Sequence, residues 1–162
     1  MISTGTFWRT VISGFIATFI MAMVSFLQGG LGMPTIDITY LIHKTLNYIH
    51  GYEFYSIFWS NLAYIIGGIL LALSWVVFLQ ERIPGNWLVH GFIYGIIITL
   101  FSGLVLAPLV ALAAGDSFGI FYLDTWVPGK ILLAAAIMHL SYALTLMLCL
   151  KIAGVNGLVS AS

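Results

Sequence analysis

A chain of 162 residues that is 62% hydrophobic and 6% charged, with a mean hydropathy of +1.12, lies outside the range of water-soluble domains and reads as an integral membrane protein. Five lysines and arginines balance five acids without a basic cluster, so nucleic acid is excluded as a partner. The single cysteine, Cys149, can form neither an internal disulfide nor a Cys-rich metal centre and reads as apolar filler.

The first apolar run, residues 7–28, has Arg9 near its start as its only charged residue and has no small-residue cleavage pattern behind it. It is expected to be a retained membrane span rather than a signal peptide. Three glycines and Pro34 in Gly29-Gly30-Leu31-Gly32-Met33-Pro34 should end it. Between this run and the next, Ile38, Leu41, Ile42, Leu46 and Ile49 recur at spacings of three and four, with Asp37, Lys44, Asn47 and His50 largely elsewhere. That spacing predicts a short amphipathic helix over residues 35–50, lying in the membrane interface.

Span two is predicted over residues 54–79 and closes on the polar turn Gln80-Glu81-Arg82-Ile83-Pro84-Gly85. Span three, residues 87–114, carries Pro108 near its far end, where a kink or an early stop is expected. A loop rich in Phe118, Phe121, Tyr122 and Trp126 then precedes span four, residues 129–151; such aromatics favour head-group depth. The predicted fold class is all-α: a four-helix membrane bundle of two helical hairpins with one interfacial helix. Arg9, Arg82 and Lys151 fall on one face of the membrane and Lys44 and Lys130 on the other, which puts both termini in the cytoplasm, expected to be that of an inner-membrane protein.

An internal echo runs through these spans at an offset of 77 to 78 residues: Gly14-Phe15-Ile16 matches Gly91-Phe92-Ile93, and Asn61-Leu62-Ala63-Tyr64 matches His139-Leu140-Ser141-Tyr142. A pseudo-symmetric pair of hairpins would give His139 and Asn61 equivalent places.

His139 is the one ionisable group near the middle of a span, where burial is costly unless a partner or a function compensates. Tyr142 is three residues on and is expected on the same side of the helix. The pair reads either as an interhelical bond to Asn61, Ser102, Thr99 or a backbone carbonyl, or as a contact to haem, metal, quinone or a relayed proton. His90 should lie shallow, bonded to water or Asn86, too far from His139 for a shared metal. His43 and His50 share a helix face with Asp37 and Glu53 nearby but complete no zinc pattern. Gly91-x-x-x-Gly95 has the spacing that lets membrane helices approach closely. All five acids lie outside the spans, against proton or cation transport, and neither a nucleophile with its base nor a His-Glu-x-x-His helix is present.

Gly32-Met33-Pro34, Ile36-Asp37-Ile38 and His139-Leu140-Ser141-Tyr142 resemble a family of small uncharacterised four-span bacterial membrane proteins. The resemblance implies a four-helix membrane fold and an association with respiratory oxidases, and no catalytic residue comes with it. Ala143 and Thr145 stand where that family usually has glycine, against a close helix crossing in span four. The function expected is thus a non-catalytic accessory subunit of a larger membrane complex, with other membrane subunits and lipids as partners and no cofactor required beyond bound lipid. The alternatives are a haem- or quinone-binding electron carrier using His139, and a small transporter.

Overall fold

The computed structural model describes residues 2–50 and 53–155, with side chains for all but 53–55; Tyr52 and the Glu53 carboxylate therefore lie outside what is described. Helix α1, Thr4–Gly30, is capped by Ser3, whose hydroxyl accepts from the Thr6 N–H. It stops where Gly32 turns left-handed at φ +77°, which lets the Gly32 and Met33 N–H groups donate back to the Gly29 and Gln28 carbonyls, both at 3.0 Å. Glycine is the residue that takes this conformation without steric cost. Pro34 follows the turn that ends the helix.

Helix α2, Ile38–His50, starts at Asp37, whose Oδ1 accepts from the Tyr40 N–H at 3.0 Å. It is tied to its neighbours through His43 and Lys44. His43 Nδ1 is 2.7 Å from Ser56 Oγ, and Lys44 pairs with Asp116 at 2.9 Å. His50 is exposed.

Helix α3, Glu53–Ser74, widens into a π turn over Trp75–Leu79. Helix α4, Trp87–Phe101, is capped by the Asn86 side chain, passes into a second π turn, Ser102–Leu106, and resumes as α5, Ala107–Ala113. Pro108 therefore neither stops the span nor ends it early. Proline has no N–H for the carbonyl four residues back and its ring collides with that carbonyl; the wider π turn just before it, with Ala107 N–H donating to Ser102 O, removes the conflict. Helix α6, Pro128–Ile152, closes the described chain.

Four stretches, Thr4–Gly30, Ser56–Leu79, Trp87–Ala113 and Pro128–Ile152, are long and apolar enough to cross a membrane. The protein is an all-α, multi-pass membrane bundle. Helix α1 packs on both α3 and α6, and α4 packs on α6. In lipid, apolar surface gains little from leaving one hydrocarbon for another, so close packing and interhelical hydrogen bonds must hold the helices together. Trp75, Tyr94, Tyr142 and Leu146 fill the centre. A Cβ added to Gly95 would stand 2.7 Å from Leu140 Cδ2 and 3.1 Å from Leu140 Cα, and one on Gly91 2.6 Å from Leu144 Cδ2. These glycines bring α4 onto α6, so α6 is closely crossed although Ala143 and Thr145 occupy the expected glycine positions.

The echo between hairpins does not extend to their contacts in register: Gly91 meets Leu144 of α6, whose counterparts are residues 66 and 67, whereas Gly14 meets Ala72 and Ile69 of α3. It fails at Asn61, which is exposed and donates to Ile57 O of its own helix at 2.8 Å. His139 is buried, so the two are not equivalent.

Candidate functional site

The approach of α4 to α6 at Gly95 carries Thr99, one turn further on, to His139. His139 Nδ1 lies 3.3 Å from Thr99 Oγ1, and the imidazole is 9% exposed. The Thr99 hydroxyl has one proton, which it donates to Gly95 O at 2.7 Å. That shorter bond to a carbonyl outcompetes the longer contact, so Thr99 is left an acceptor toward His139. Neutral imidazole has one donor and one acceptor nitrogen. Nδ1 therefore carries the proton and Nε2 the lone pair.

Tyr142 takes no part in this contact. Residues three apart on a helix are offset by about 60° around its axis, and this offset turns His139 toward α4 and Tyr142 toward α3. There the Tyr142 hydroxyl donates to Gly68 O at 2.5 Å. Of the partners expected for His139, Thr99 is the one it meets, while Asn61 is turned away.

Beside His139 lies a cavity of about 30 Å³, lined also by Thr35, Ser102, Tyr122 and Ile131. This is room for a water or a hydroxyl group. Ser102 opens the π turn of α4, and its Oγ is 3.3 Å from Tyr122 Oη. Tyr122 reaches this depth because Phe121 and Tyr122 both adopt left-handed φ, +51° and +61°. Such conformations cost about 1–2 kcal/mol per non-glycine residue. Phe121 seats against Gly103, where a Cβ would come within 2.5 Å of its ring, and Tyr122 is buried. Burial raises the Tyr122 phenol above its ordinary pKa, against a smaller opposing effect of the Ser102 bond, so the hydroxyl keeps its proton.

A second, open pocket of about 340 Å³ shares Thr35, Ile36 and Ile131 with this cavity. Its walls include Tyr40, Phe118 and Trp126 together with Asp37 and Asp116. No sequence spacing links Tyr122, Ser102 and Thr35, which meet only in the fold; the aromatic density of residues 118–126 is the signal the sequence carries.

Three other polar positions have structural partners. His90 Nε2 is 2.8 Å from Ile83 O and its ring centroid 5.2 Å from that of Trp75; Asn86 serves the helix cap instead. Gln28 and Gln80, missed from sequence, donate to Ala134 O and Val155 O at 3.2 and 2.9 Å, joining α1 and the end of α3 to α6 and the segment after it. Among the described residues no three His, Cys, Asp or Glu side chains gather as a metal site.

Comparisons of the chain with protein families, with curated proteins and with solved structures found no match.

Proposed function

We propose that this chain is a non-catalytic accessory subunit of a larger complex of the inner membrane, with both termini cytoplasmic. The observation that carries the reading is how the interior polar groups are used. Tyr94 and Tyr142 donate to Leu71 O and Gly68 O, Gln28 to Ala134 O, and His90 pairs with Ile83 O. These groups join one helix or turn to another, which is the work of a scaffold. Trp75, Tyr94, Tyr142 and Leu146 pack the centre solidly, which speaks against a transport path through the bundle. Resemblance to small four-span bacterial proteins directs the proposal to a respiratory electron-transfer or oxidase assembly, with membrane subunits and lipids as neighbours.

Purification from native membranes in mild detergent tests this. The proposal expects other membrane subunits to co-purify with the chain through successive columns. Recovery as a stable chain free of any partner argues against it.

A further inference from the structure

The proton inventory around His139 defines a chemical demand that the scaffold role does not use. Thr99 holds the imidazole with its proton on Nδ1, leaving a lone pair on Nε2 in a side chain that is 9% exposed. No hydrogen-bond donor to Nε2 is found among the described residues. Across the same small cavity, Ser102 and Tyr122 have two hydroxyl protons between them and need one for their mutual 3.3 Å contact. The other is free to be given. The cavity thus presents one acceptor and one donor around a space that takes a single hydroxyl group.

Next to it, the open pocket of about 340 Å³ is lined by the aromatic residues Tyr40, Phe118 and Trp126 as well as by Asp37 and Asp116, and shares Thr35, Ile36 and Ile131 with the cavity. Aromatic walls of this kind stack on a planar ring, and the volume falls in the range of ligand pockets. We propose that the two spaces form one binding site for a lipid-soluble hydroquinone, its ring in the aromatic pocket and one hydroxyl directed past Ile36 and Ile131 to His139. That hydroxyl donates to Nε2 and its oxygen accepts from the Ser102–Tyr122 pair. The oxidised quinone brings only acceptor oxygens and sets a lone pair against a lone pair, so the site prefers the reduced form. The inference concerns binding alone and stands apart from the accessory-subunit proposal.

The test is isothermal titration of the full chain in lipid nanodiscs with a decyl-tailed benzohydroquinone, and with its quinone, under anaerobic conditions and with empty nanodiscs as the blank. The site predicts saturable hydroquinone binding about fivefold or more tighter than quinone binding, since an acceptor left without its donor costs about that or more. His139→Phe should abolish the preference, and Tyr122→Phe with Ser102→Ala should weaken both forms. Thr99→Val keeps the side-chain shape and removes the acceptor that holds the Nδ1 proton. It should let the proton move to Nε2 and shrink the preference, visible also in the nitrogen NMR shifts of His139. Because Thr99→Val leaves the imidazole in place, it keeps the test decisive if His139→Phe misfolds. Binding no greater than in empty nanodiscs, equal affinity for the two redox forms, or an undiminished preference in Thr99→Val would each overturn the assignment.

Discussion

The crossing of α4 and α6 offers the sharpest test of how the bundle is held together. A methyl added at Gly95 would stand 2.7 Å from Leu140 Cδ2 and 3.1 Å from Leu140 Cα; at Gly91 the distances to Leu144 Cδ2 and Cα are 2.6 and 3.2 Å. A leucine methyl can swing aside, but a Cα moves only with its helix, so the two helices must separate by a few tenths of an ångström. Overpacking of this kind costs about 1–3 kcal/mol per site. The two sites share one crossing, so their costs are coupled and the double variant Gly91→Ala/Gly95→Ala should lose about 2–4 kcal/mol, less than a doubled maximum. Gly67 is the control, because a Cβ there meets nothing within 4 Å; Gly67→Ala should change stability by less than about 1 kcal/mol, toward stabilisation. Unfolding in mixed micelles of mild and denaturing detergent, followed by tryptophan fluorescence, measures all three. If the double variant is as stable as Gly67→Ala, close glycine contact does not hold α4 to α6.

The hydrogen bonds and the strained loop give further expected outcomes. Tyr142→Phe should cost about 0.6–1.7 kcal/mol in the same unfolding assay, the range for bonds between membrane helices, while Asn61→Ala, exposed and bonded within its own helix, should leave stability unchanged. Gly103→Ala should displace Phe121, whose ring lies where the new methyl must go, and be seen as faster proteolysis of residues 115–127 with no loss of the four spans by circular dichroism. Asp116→Asn breaks a part-exposed ion pair with Lys44 and should cost under about 1 kcal/mol, with salt lowering the difference. The Tyr122 phenol is raised in the folded state by burial, so its contribution is complete below the unfolded value of about 10 and is lost as pH rises beyond it. Tyr122→Phe should therefore flatten the alkaline fall in stability relative to the parent chain.

The four spans and α2 were legible because run length and apolar spacing are local properties of the chain. Helix ends were legible for the same reason: Gly32 and Pro34 mark one, and the polar turn from Gln80 to Gly85 another. What lay beyond sequence depended on contacts between distant segments. Pro108 announced a disturbance, but its form, a π turn that lets the helix continue, depends on how the span seats against Phe121 and its neighbours. Tyr122 could not be singled out, since an aromatic residue at positive φ goes against local preference and is held by burial and by its contact with Ser102, which is distant in sequence. His139 was legible as a buried group needing a partner, and Thr99 was one of several named. Choosing it required the rotation of α6 and the close approach at Gly95. The same rotation separated Tyr142 from His139, although their spacing had suggested a shared neighbour.

The central claim is that this bundle serves as part of something larger. Native mass spectrometry of the chain released directly from membranes into mild detergent measures it most directly. The account predicts a species heavier than the chain by the masses of defined membrane subunits in constant ratio. Release of only the chain or its own oligomers, with lipid as the sole added mass, would contradict it.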